Sequence, residues 1–113
     1  RRVDPAAGRA ALAVWEADPD TAPRDAVATA VRHTLAVLAE RYPGHAVEVR
    51  VPPHGAVQCV EGVRHRRGTP PNVVETDAVT WLSLVTRRLT WAEAVDSGAL
   101  TASGTNADIS ALL

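Results

Sequence analysis

The chain has 113 residues, enough for one ordinary hydrophobic core, and a single domain over residues 1–113 is expected. Twelve basic and thirteen acidic residues leave a formal net charge of −1, so no global field draws nucleic acid. Every basic side chain is arginine, which excludes Schiff-base lysine chemistry, and with Phe and Met absent the large apolar volume comes from valine, leucine and three tryptophans.

Residues 1–22 read as an N-terminal helical arm. Ala10, Ala11, Val14 and Trp15 follow Pro5 at helical spacing, Trp15 is its packing anchor, and a Pro- and Asp-rich corner at residues 17–23 closes it. Pro23 suits a first helical turn. From there to Arg41, the residues Val27, Val31, Leu35, Leu38 and Tyr42 recur every three or four positions as one apolar face, ended by Pro43-Gly44. The period then drops to two. Val47, Val49 and Val51 alternate with Glu48 and Arg50, Pro52-Pro53-His54-Gly55 turns the chain, and residues 56–60 return as the second arm of an antiparallel hairpin. Residues 63–67 (VRHRR) suit either a short edge strand or a loop, and residues 72–76 read as a strand.

Two short helices follow. Asp77 can cap the first, with Ala78, Trp81, Leu84 and Val85 on one face and Arg87-Arg88 at its negative end. Thr90 and Glu93 have the spacing of a capping box for the second, whose Trp91, Ala94 and Val95 are expected to face the core before Ser97-Gly98 stops it. Residues 99–103 form a strand ended by Gly104, and Asn106 can cap a last helix that turns Ile109 and Leu112 inward. Strands and helices are segregated rather than alternating, so the class is α+β.

The stretch Thr76–Gly104 also carries a family resemblance. A capped apolar helix, then L-T-W-A-E-A-V, S-G-x-L and a closing glycine (Asp77, Trp81, Leu84, Leu89, Ala94, Gly98, Leu100, Gly104) resembles the C-terminal half of the sterol-carrier-protein, or lipid-transfer, family in its small bacterial stand-alone form. The resemblance implies helices packed on one face of a mainly antiparallel five-stranded sheet. Residues 63–67 would then have to supply the third strand. It also implies a non-catalytic carrier for an apolar or amphipathic molecule such as a lipid, an acyl chain or a sterol-like compound.

On that reading a ligand lies in a cleft between sheet and helices. Its lining is Leu35, Val49, Val57, Val74, Trp81, Leu84, Leu89, Trp91, Val95 and Leu100, and Arg64, Arg66 and Arg67 can grip an anionic headgroup. The same apolar residues can equally touch one another as a filled core, and the arginines can belong to a solvated loop or a charge-protected edge strand. The alternative function is then an accessory protein-interaction domain without a ligand. No enzyme constellation supports a third reading: there is no P-loop, G-x-G-x-x-G or G-x-S-x-G.

Neither a cofactor nor a metal site is expected, because His33, His45, His54, His65 and Cys59 share no metal-binding spacing. The expected partners are an apolar or amphipathic ligand, no nucleic acid, and at most peripheral membrane contact, with a homodimer or a partner enzyme left open. A single cysteine, no apolar run near the roughly 20 residues of a membrane span, and no basic-then-apolar leader give a cytoplasmic expectation.

Overall fold

A computed structural model describes residues 2–62 and 71–113. The elements in chain order are α1 (Pro5–Ala17), α2 (Arg24–Arg41), β1 (Val47–Val51), β2 (Gly55–Cys59), β3 (Asn72–Thr76), α3 (Ala78–Val85), α4 (Trp91–Asp96), β4 (Leu100–Ser103) and a closing 3-10 turn, Ser110–Leu112. Local chemistry starts most of them. Asp4 accepts from the Ala7 amide at 3.1 Å and Pro5 fills the first turn of α1, where its missing N–H costs nothing. Asp77 accepts from the Thr80 amide at 2.8 Å to begin α3. At α4 the expected capping box is present: Thr90 Oγ1 accepts from the Glu93 amide at 3.1 Å, and Glu93 accepts from the Thr90 amide at 2.9 Å.

Among the described residues the sheet has four strands in the order β2-β1-β3-β4, and its pairing is mixed. This corrects the expected five-stranded, mainly antiparallel sheet. The β1–β2 hairpin and the β3–β4 pair are antiparallel, whereas β1 and β3 run parallel. The register supplies the reason. Cys59 at the end of β2 and Asn72 at the start of β3 both sit opposite Val47. The chain therefore leaves one flank of β1 and re-enters on the other at the same end, which forces β3 to run with β1. Residues 63–67, the expected third strand, lie outside the described residues.

The pleat divides the sheet cleanly. Val47, Val49, Val51, Cys59 and Val74 are buried on the side that faces the helices, together with Leu100. Glu48, Arg50 and Glu75 occupy the other face, where Arg50 lies 2.9 Å from Glu48 and 3.9 Å from Glu75. Asn72, itself buried, ties the start of the sheet together. Its amide donates to the Ala46 carbonyl and its carbonyl accepts from the Asn106 amide, both at 2.9 Å. Gly104 passes so close that a Cβ there would lie 2.6 Å from the Pro71 carbonyl oxygen, and its φ of +109° is open only to glycine.

Helix α2 packs on β2, α1 and α3 pack on α2, and α4 packs on β4. Val31, Leu35 and Leu38 of α2 join Trp81, Leu82 and Leu84 of α3 in one buried cluster with the inner valines. Burial of each such side chain contributes roughly 1.5–3 kcal/mol. Trp81 adds a directional bond, its Nε1–H donating to Thr34 Oγ1 at 2.8 Å. Trp15 anchors α1 as expected: it is 1% exposed, and the Arg88 guanidinium sits 5.4 Å from its ring centroid while donating to the Glu16 carbonyl.

Three details differ from the sequence expectations. Val95 is 42% exposed rather than core-facing, because a helix as short as α4 presents only a narrow inner stripe, and Ala94 occupies it. Leu82 is fully buried although it lies off the predicted face, since α3 is covered on more than one side. The last helix is a single 3-10 turn. It starts only at Ser110, beyond the reach of an Asn106 cap, and Asp108 accepts from the Ser110 amide at 2.9 Å.

Candidate functional site

A cleft of about 1000 Å³ opens beside the core, on the outer side of α2 rather than beneath it. That volume lies at the upper end of the ~300–1,000 Å³ of small-molecule sites. One wall is the start of α1, from Val3 and Pro5 to Arg9 and Leu12. The second wall is α2, through His33, Val37, Leu38, Arg41 and Tyr42. The floor is completed by Trp81 and Val85 of α3 and by Leu112 and Leu113.

The two helical walls are set by a close crossing. Gly8, buried in α1, lies directly against His33, and any larger residue would strike the imidazole. The bare glycine surface lets α1 approach α2 there, and Leu12 and Val37, each four residues on, border the cleft. Thr34 is satisfied within the wall: it accepts from Trp81 and donates to the Ala30 carbonyl at 2.8 Å. Two acidic side chains border the cleft and both are engaged. Asp4 caps α1, and Glu40 pairs with Arg2 at 3.0 Å. That pair is open to solvent and contributes little to stability.

The sequence-predicted lining falls mostly elsewhere. Only Trp81 borders the cleft. Leu35, Val49, Val74, Leu84 and Leu100 belong to the buried cluster between helices and sheet. Val57, Leu89 and Trp91 pack partly buried against that cluster, and Val95 points outward. The inner face of the sheet is thus occupied by the protein's own side chains. Arg64, Arg66 and Arg67, read as a headgroup clamp, lie outside the described residues.

The cleft residues absent from that reading, chiefly Leu12, Val37, Val85, Leu112 and Leu113, come from four distant parts of the chain. One signal was available. His33, Val37 and Arg41 recur at four-residue intervals as a second stripe on α2, beside the core-facing one.

Among the described residues no cluster of three His, Cys, Asp or Glu side chains can hold a metal. His45 bonds Gln58 at 2.6 Å on the sheet, far in sequence from His33 in the cleft. Cys59 is buried on β2, where burial pushes its thiol above the ordinary value of 9.0 and keeps it protonated and unreactive at neutral pH. No helix among the described residues is long and apolar enough to cross a membrane.

A comparison with curated proteins returns no match. The family model described as a bacterial SCP ortholog matches residues 23–113, from the residue before α2 through the closing turn, and the chain belongs to this sterol-carrier-protein-like bacterial family.

Proposed function

We propose that the protein is a non-catalytic binding domain for an apolar or amphipathic small molecule, held in the cleft between α1, α2 and the C-terminal residues. The observation that carries this reading is the cleft itself: about 1000 Å³, floored by Val85, Leu112 and Leu113 with the buried Trp81 behind them, in a chain whose family membership already suggests lipid binding. An apolar floor gains from covering by a hydrocarbon body in proportion to the area removed from water, roughly 25 cal/mol per Å².

Native mass spectrometry of the protein as purified, beside an organic-extracted control, tests the reading. A co-purifying apolar mass is expected, lost on extraction and reduced in Val37→Trp, which fills the cleft from α2 without entering the sheet-facing core. If the bare chain mass alone is seen, and no fluorescent acyl or sterol probe is taken up, the reading falls.

A second reading is favoured by a different observation, the filled interface between helices and sheet. On it the protein is an accessory interaction domain with no ligand. A bare chain mass in that experiment, together with an unchanged spectrum for Val37→Trp, is its expected result.

A further inference from the structure

The arm that forms one wall of the cleft is fastened unevenly. Helix α1 packs mainly on α2, and it precedes the family-matched residues 23–113. Among the described residues, the hydrogen bonds that tie residues 2–17 to the rest of the chain stand at its two ends. At the Trp15 end the indole is buried, and the Arg88 guanidinium covers the ring at 5.4 Å while donating to the Glu16 carbonyl at 2.6 Å. At the other end Arg2 meets Glu40 at 3.0 Å, with the two side chains 87% and 63% exposed. Little apolar area lies between. The buried residues of this first half, Gly8 and Ala11, bring a single methyl group between them, Leu12 is partly buried beside them, and residues 4–7 are exposed. Val3, Asp4, Pro5, Arg9 and Leu12 of the same half border the cleft.

We infer that α1 is a gate on the cleft: its first half lifts from α2 about the Trp15–Arg88 anchor, and the Arg2–Glu40 pair is the latch that holds it down. This names the regulation of the proposed binding site and rests on that reading. Both latch partners border the cleft, Arg2 from the α1 side and Glu40 from α2, so the pair closes across the opening itself. An ion pair this exposed is weak and screened by salt, so opening becomes easier as ionic strength rises. The anchor is less sensitive, because an indole removed from water is held by its apolar area. The lifted half is about two turns of helix, too short to keep its hydrogen bonds in water. Opening therefore exposes its amides to exchange without unfolding the core between helices and sheet.

A covalent latch tests the gate. The chain has no lysine, so Arg2→Lys supplies a single lysine amine that a carbodiimide can couple to Glu40, and peptide mapping selects that product. Two rates are read in the parent protein, the uncoupled variant and the coupled one: amide exchange by nuclear magnetic resonance, and stopped-flow capture of an anthroyloxy-stearate probe. In the parent, the amides of residues 8–12 are expected to exchange at least about tenfold faster than those of the buried Val31 and Leu35 in α2. In Glu40→Gln, or at high salt, they should exchange about two- to fivefold faster again, the worth of one exposed ion pair. Coupling should slow both their exchange and the capture of the probe by at least about tenfold relative to the uncoupled variant. Exchange of residues 8–12 at the rate of Val31 and Leu35, or capture that coupling leaves unchanged, overturns the gate and leaves the carrier reading standing. No capture by the parent or by either form of the variant removes the carrier reading, and the gate with it. If coupling does not yield the Glu40 product, Glu40→Arg replaces attraction by repulsion at the latch. Capture should then quicken by about two- to fivefold at low salt and return to the parent rate at high salt, and an unchanged rate at low salt counts against the gate.

Discussion

Gly8→Ala is the most informative perturbation of the cleft, because two known effects of opposite sign compete at one atom. Alanine is a better helix former than glycine by about 1 kcal/mol, and α1 would gain that if nothing stood in the way. The added Cβ would lie 2.6 Å from the Cβ of His33 and closer still to its ring. Rotating the imidazole clears the ring but leaves the root of the side chain where it is, so the helices must separate by roughly 1 Å to reach the ~3.5–4.0 Å of carbon contact. Overpacking of this kind costs about 1–3 kcal/mol, so a net loss of about 1 kcal/mol is expected, or roughly 4 °C in the melting temperature. Urea unfolding followed by far-ultraviolet circular dichroism measures it. In a His33→Gly background the obstacle is gone, and Gly8→Ala should then stabilise by about the full propensity difference of 1 kcal/mol, giving a coupling of about 2 kcal/mol between the sites. Equal stabilisation in both backgrounds would refute the close crossing of α1 and α2, and with it the placement of the cleft wall.

The remaining predictions concern the elements around the cleft. Arg87 occupies the left-handed position (φ +63°) that ends α3, with its neighbour's amide, that of Arg88, donating to the Ser83 carbonyl at 2.8 Å, and glycine is the residue suited to such an end. Arg87→Gly should stabilise by about 0.5–1 kcal/mol, the ~1–2 kcal/mol of relieved strain less the added unfolded-state entropy, seen as a higher urea midpoint at constant slope. Thr34→Val leaves the fully buried Trp81 Nε1–H without its acceptor and should cost about 1–3 kcal/mol in the same assay, whereas an unchanged midpoint would deny that bond a role. Hydrogen bonds from Thr90 hold the Glu93 carboxyl below its ordinary value of 4.5. Its contribution is therefore complete above that value and is lost as pH falls through the depressed one. Thr90→Ala should lower stability at neutral pH and flatten the decline below about pH 4.5, read from melting curves across the acid range.

Helix and strand positions were legible because their signals are local. Asp77, the Thr90–Glu93 box, Pro5 in the first turn of α1 and Pro23 at the N-cap of α2 act within one turn of the chain, and the valines of β1 alternate in the period that a half-buried strand imposes. The closing segment shows where such signals fail. Asn106 has the chemistry of a cap, but the closing turn begins only at Ser110, and the Asn106 backbone N–H donates to Asn72, thirty-four positions earlier. A tie to a side chain that distant forms only once folding has brought it near, and nothing in the neighbouring residues announces it.

The site was the least legible part for the same reason. Apolar periodicity tells which residues leave water, not whether they meet each other or a ligand. The face between α2 and the sheet met the strongest apolar pattern and closed on itself through Leu35, Val49, Val74 and Trp81. The opening was left where α1 crosses α2 at Gly8 and the chain's last residues arrive beside Val85. By itself the sequence determined the class, the capped elements and the inner face of each strand, since caps and periods act over a few residues. The parallel β1–β3 pairing, the tie between Asn72 and Asn106 and the position of the cleft were decided only by the tertiary structure, because each depends on which distant segments meet at one strand edge, one amide or one helix face.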